Sequence, residues 1–153
     1  MCQLRALLAG QSKFDPFQLA FFYGTIIKKP FLMGWTTRYG LGPLQECLEN
    51  PDPNLAWEAA KEGHGAQSLS NGSLMRMTPM AVFCRNLLPG ELQKCVYADC
   101  AMVHSNPTML RICKSYCLAI QALLRNIDKP NRAALALQAV EADASQADDA
   151  ANA

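Results

Sequence analysis

Apolar residues recur along this chain at helical spacing, and alternation of the strand type is scarce. "MCQLRALLAGQSKFD", residues 1–15, reads as an amphipathic helix. In "FDPFQLAFFYGTIIKK", Asp15 is placed to cap and Pro16 to open a helix whose apolar residues are Leu19, Phe22, Tyr23 and Ile26. The same device recurs at Asp52-Pro53 before "NLAWEAAKEG", with Gly63 as the stop. "LPGELQKCVYADCAMVH" puts Leu92, Cys95, Val96 and Val103 on one face. The clearest helix is "SNPTMLRICKSYCLAIQALLRN". Asn106 caps it, Pro107 opens it, and Leu110, Cys113, Cys117, Ile120 and Leu124 repeat on one side, with Arg111, Lys114, Gln121 and Arg125 opposite. Loops are expected at 29–42 and 63–72. The pattern predicts an all-α fold.

The last segment, "PNRAALALQAVEADASQADDAANA", changes character. Alanine favours helix but buries little, so a helix from 130 to 143 that frays into an acidic tail is expected. This divides the chain into a domain over residues 1–128 and an Ala-rich helix with a low-complexity tail over 129–153.

Composition adds limits rather than chemistry. The 153 residues are enough for one domain with a real core. Half are hydrophobic and 18% charged, a globular balance. A formal net charge of +1 gives no broad footprint for nucleic acid, so none is expected as a direct partner. No apolar run approaches the roughly 18 residues of a membrane span. The N-terminus makes a poor signal peptide. Seven cysteines, an odd number without the look of a disulfide framework, point to a reducing, intracellular compartment and to the cytoplasm.

Cys95, Cys100, Cys113, Cys117 and His104 invite a zinc reading, but their spacing argues against it. Structural zinc favours ligand pairs roughly two to four residues apart on turns. Cys113 and Cys117 instead sit one turn apart within an apolar stripe, where cysteine behaves as a small hydrophobe. His64, in "EGHGAQ", is expected to be exposed. His104 ends one helix just before the cap of the next. A protonated ring there would favour the helix C-terminal dipole; the alternative is ligand contact.

"AQSLSNGSLMRMTPM", residues 66–80, carries the strongest candidate chemistry. Ser70 and Asn71 suit an N-cap, and Gly72 permits unusual backbone angles. A helix start with free N–H groups and neighbouring hydroxyls is a natural anion site, yet every capped helix shares much of this. Arg76 adds positive charge, or equally pairs with a carboxylate.

"SLSNGSLMRMTPMAVF" followed by "YADCAMVHSNPT", with "FDPFQLAFFYGTIIKKPFLMGWTTRYGL" upstream, resembles the ADP-ribosylglycohydrolase family, which includes the dinitrogenase reductase-activating glycohydrolases. The motifs span residues 1–126 in order. The resemblance implies a multi-helix orthogonal bundle like the central part of that fold. It also implies a hydrolase that cleaves the glycosidic bond between ADP-ribose and a modified side chain or other acceptor. Ser68, Leu69, Ser70, Asn71 and Gly72 would lie at the diphosphate, His104 would reach the ADP-ribose, and Gly34 would line the edge of the site. The partner implied is ADP-ribose or an ADP-ribosylated protein, and the cofactor a pair of Mg²⁺ ions. The family's Thr-Asp-Asp-Ser/Thr and Asp-x-Asp-Thr metal motifs have no counterpart here. Asp99 and Glu91 make no such set, and Asp148-Asp149 lacks a threonine beside it. An internal portion of the family domain is therefore expected, without metal ligands or an assigned catalytic residue. The alternative is a non-catalytic ADP-ribose-binding or interaction module.

Overall fold

A computed structural model describes residues 2–10, 13–28, 33–46 and 48–151, with the side chains of residues 2 and 146–151 excepted. Eight helices follow in order among them: α1 (Cys2–Ala9), α2 (Pro16–Ile27), α3 (Trp35–Leu41), α4 (Pro53–Glu62), α5 (Thr78–Phe83), α6 (Pro89–Ala101), α7 (Pro107–Arg125) and α8 (Arg132–Ala151). Short 3-10 turns at Gly42–Gln45, His64–Ala66, Leu74–Arg76 and Cys84–Asn86 join several of them, and the described residues contain no strand. None of these helices is long and apolar enough to cross a membrane.

The starts of α2, α4 and α7 follow from local chemistry. Asp15, Asp52 and Asn106 each accept a hydrogen bond from the backbone N–H two residues on, and proline fills the first helical position. Gly63 ends α4, as expected.

The expected loop at 29–42 is corrected: its described part contains α3 and the beginning of the following turn. Threonines and glycine give "WTTRYGL" little helix propensity of its own. Packing supplies the difference, because Gly40 lies against the backbone of Met102 and Val103, and Leu41 is buried. The expected fraying after residue 143 is corrected too, since α8 continues to Ala151. It packs on α7, with Ala136 buried and Asp143 paired to Lys114 at 2.6 Å.

Two apolar cores share α6. The first joins α1, α5, α6 and α7 through Leu7, Met80, Leu92, Val96, Cys113 and Cys117. The second joins α2, α3, α4 and the end of α6 through Leu19, Tyr23, Leu41, Ala56, Met102 and Val103. The cysteines act as the expected small hydrophobes. Gln121, expected on the exposed side of α7, is buried instead. Its amide donates to the carbonyls of Cys84 (2.6 Å) and Leu87 (3.0 Å), at the start of the short Cys84–Asn86 turn and just after it. Burial on α7 accordingly centres on Met109, Cys113, Cys117, Leu118 and Gln121, while Leu110 and Ile120 pack at its margin.

Gly65 fixes how the two halves of the site meet. Its carbonyl accepts from the N–H groups of Ser105 (3.1 Å) and Asn106 (3.2 Å). A Cβ there would stand 2.5 Å from the Val103 oxygen and 2.7 Å from that of Ala60. Backbone on both sides leaves no flexible neighbour to yield. Gly65→Ala is expected to destabilise the fold by about 2 kcal/mol, read from chemical denaturation.

Candidate functional site

A layer of polar residues lies between the two cores, and its outer end is a cluster of hydroxyls. The cluster begins where α3 starts and the segment 67–73 crosses it. Thr36 Oγ1 is 3.2 Å from Ser68 Oγ, which lies 3.1 Å from Ser70 Oγ. Ser70 N–H donates to Ser68 Oγ at 3.2 Å, giving the segment a local turn. Ser70 Oγ is 3.0 Å from His104 Nε2, and Ser73 Oγ is 2.8 Å from His104 Nδ1. His104 is therefore gripped on both nitrogens.

Its charge state corrects the sequence expectation. The ring is fully buried, and burial followed by the nearby Arg76 cation pulls its pKa down to about 4. At neutral pH the imidazole is uncharged and does not act as a cation on the α6 dipole. The corner that carries it is fastened independently: Ser105 Oγ donates to the Ala60 carbonyl at 2.8 Å, and Asn106 Nδ2 donates to that of Ala66 at 3.1 Å.

The segment 66–80 is not capped as expected. Ser70 and Asn71 precede a turn rather than a helix; Ser73 flanks the 3-10 turn and α5 begins only at Thr78. Asn71 lies exposed, its carbonyl accepting from Met75 N–H at 3.0 Å. Gly72 is required for room rather than for backbone angle, since its φ lies outside the left-handed region. A Cβ on it would meet Thr37 Oγ1 at 2.6 Å and His104 Cε1 at 3.4 Å. Leu69 is exposed between the two serines. Gly34 is exposed at the start of α3 with open space around it, two residues from Thr36. Of the residues singled out from sequence, Ser68, Ser70, Gly72 and His104 come together, whereas Leu69, Asn71 and Gly34 lie exposed in the same segments. His64 is exposed, as expected.

Thr36, Thr37 and Ser73 belong to this cluster and were not among the expected site residues. The available signal was the "TTR" run, whose place in a helix start was hidden by the expectation of a loop.

Below the hydroxyls lies a buried ion pair. Arg76 Nη2 is 2.8 Å from Asp99 Oδ1, with Asp99 fully buried on α6. Tyr23 OH donates to Asp99 Oδ1 at 3.0 Å, and Gln3 Nε2 donates to Oδ2, while Gln3 Oε1 has no partner among the described residues. The guanidinium also stands 5.4 Å from the Tyr23 ring centre, over its face. Burial works against the Arg76 cation, but Tyr23 and Asp99 outweigh it and hold it protonated. Burial pushes the Tyr23 phenol well above its usual range, so it serves as a donor.

Metal chemistry has a definite test here. Among the described residues, no three His, Cys, Asp or Glu side chains stand together in a way that would hold an ion. Asp99, a carboxylate beneath the cluster, is committed to Arg76, Tyr23 and Gln3. The side chains of Asp148 and Asp149 lie outside the described residues. The residues in view do not fit a pair of magnesium ions. Zinc is no better served, because the close thiols of Cys100 and Cys113, 3.6 Å apart, lie buried among apolar side chains.

Comparison with curated proteins and with solved structures returns no match. The family model described as ADP-ribosylglycohydrolase matches residues 1–153, past the motif-bearing span and through α8. The matched length, with the all-helical architecture, places this chain in the ADP-ribosylglycohydrolase family.

Proposed function

We propose that this chain binds ADP-ribose, with the diphosphate over the hydroxyls of Ser68 and Ser70, the side-chain amide of Asn71 and the backbone of Gly72. In this reading the binding serves glycosidic cleavage between ADP-ribose and a modified side chain or other acceptor. The observation that carries it is the chain of Thr36, Ser68 and Ser70 hydroxyls that ends on a neutral His104. Hydroxyls can rotate to donate toward an anion, and the neutral imidazole behind them adds no buried charge. Close packing of Gly72 against Thr37 and His104 holds this segment onto the hydroxyl cluster. Gly34 and Leu69 would border the sugar or the base.

A second reading, a binding module without turnover, is favoured by one observation. Among the described residues, the carboxylate beneath the hydroxyls, Asp99, is locked in its ion pair and offers no acid or base to a substrate. Incubation with ADP-ribosylated protein and Mg²⁺ separates the two. Released ADP-ribose supports the hydrolase; saturable binding of ADP-ribose without release supports the module; the absence of both removes both readings. Substituting Ser68→Ala together with Asn71→Ala is expected to weaken ADP-ribose binding about tenfold or more in calorimetry, since each lost hydrogen bond to a charged group is worth roughly 1.5 kcal/mol. Unchanged affinity would remove the diphosphate from this loop.

A further inference from the structure

Arg76 makes more contacts than an ion pair requires. Besides Asp99, it donates through Nη1 to the Gly72 carbonyl at 2.8 Å and to Ser73 Oγ at 3.2 Å, and through Nη2 to the Asp99 carbonyl at 2.9 Å. It therefore ties the hydroxyl-bearing segment to α6 by both backbone and side chain.

Arginine has donors and no acceptor. Ser73 Oγ must accept from it, which leaves the single hydroxyl proton to go elsewhere. Two acceptors stand near: His104 Nδ1 at 2.8 Å and the Cys100 carbonyl at 3.3 Å. The Cys100 carbonyl already accepts from the N–H groups of Val103 (3.0 Å) and His104 (2.8 Å), so the proton goes to His104 Nδ1, the nearer and otherwise unfilled acceptor. His104 Nδ1 then accepts, so its proton sits on Nε2 and points at Ser70 Oγ, 3.0 Å away. Ser70 must in turn direct its own proton outward, toward Thr36 or a ligand. A single polarity thus runs from the buried guanidinium to the exposed hydroxyls, and the donors at its outer end suit an anion.

We infer that Arg76 is a positioning residue for the ligand site: it anchors Gly72 and Ser73, and it sets the direction of the Ser73–His104–Ser70 hydrogen-bond chain. This rests on the ADP-ribose reading for its consequence in binding, but the direction of the chain is testable without ligand.

The test is imidazole ¹⁵N NMR on the full chain, where His64 is the only other histidine and is exposed. The unaltered protein is expected to show His104 as the Nε2–H tautomer. Arg76→Lys keeps a cation beside Asp99 but cannot span four acceptors with one ammonium. It is expected to unfold cooperatively, show mixed His104 tautomers, and bind ADP-ribose roughly tenfold more weakly. An Nδ1–H tautomer in the unaltered protein overturns the inference, as does an Arg76→Lys protein with its tautomer unchanged. If Arg76→Lys does not fold, the paired Arg76→Met, Asp99→Leu protein, which carries neither buried charge, is read the same way. Absence of ADP-ribose binding by the unaltered protein sinks the ligand reading alone, because the tautomer still decides the role of Arg76.

Discussion

Asp99→Ala is expected to destabilise the protein by about 3–5 kcal/mol, the largest effect of any substitution considered for this fold. The carboxylate is fully buried and accepts from Arg76, Tyr23 and Gln3. Its removal leaves a guanidinium in the seam between two apolar cores with no counter-charge, and strands two further polar groups. The loss does not measure the strength of the pair. Desolvation of both ions offsets most of their attraction, so replacing both by apolar residues of like volume costs far less than removing one. Urea denaturation of Asp99→Ala beside the paired Arg76→Met, Asp99→Leu protein checks this. The single substitution should be the less stable of the two, and the reverse order would contradict a buried pair.

Acid should weaken the fold through His104. Its folded pKa is about 4 against an ordinary value near 6.5. Above pH 6.5 neither state holds the proton, and the stability tied to a neutral ring is fully present. As pH falls below 6.5 the unfolded chain takes up a proton that the folded ring refuses until about 4. Stability should therefore drop by about 3 kcal/mol across that window and level off beneath it, as far as this group is concerned. His104→Gln removes the titration while keeping a side chain able to reach Ser70 or Ser73. The difference in denaturation midpoint between the two proteins, followed from pH 7 to pH 4, isolates the histidine. A difference that does not change with pH would contradict a buried neutral ring.

Caps and motif were legible because their physics is local. Asp15-Pro16, Asp52-Pro53 and Asn106-Pro107 act on the next few residues, and nothing distant alters them. The residues of "SLSNGS" and His104 were legible through their resemblance to a family. What escaped depends on contacts across the chain. α3 forms because Gly40 and Leu41 pack on the corner after α6, a partner that "WTTRYGL" does not announce. Asp99 looked like one more charge on a mixed helix, and only folding sets it against Arg76, 23 residues earlier. The state of His104 turned on the same point. Position at a helix end suggests a cation, while burial between two serines makes it neutral. Gln121 followed the same rule, since its polarity suggested solvent and its partners are carbonyls under a turn.

The central claim is that Ser68, Ser70, the Asn71 side chain and the Gly72 backbone form an ADP-ribose cradle against a neutral His104. Calorimetric titration of the full chain with ADP-ribose at pH 7, repeated on the Ser68→Ala, Asn71→Ala protein, addresses it most directly. The account predicts saturable binding at one site, weakened about tenfold or more by the substitutions while the unfolding midpoint stays close to its original value. No heat of binding, or equal affinity in both proteins, would contradict it.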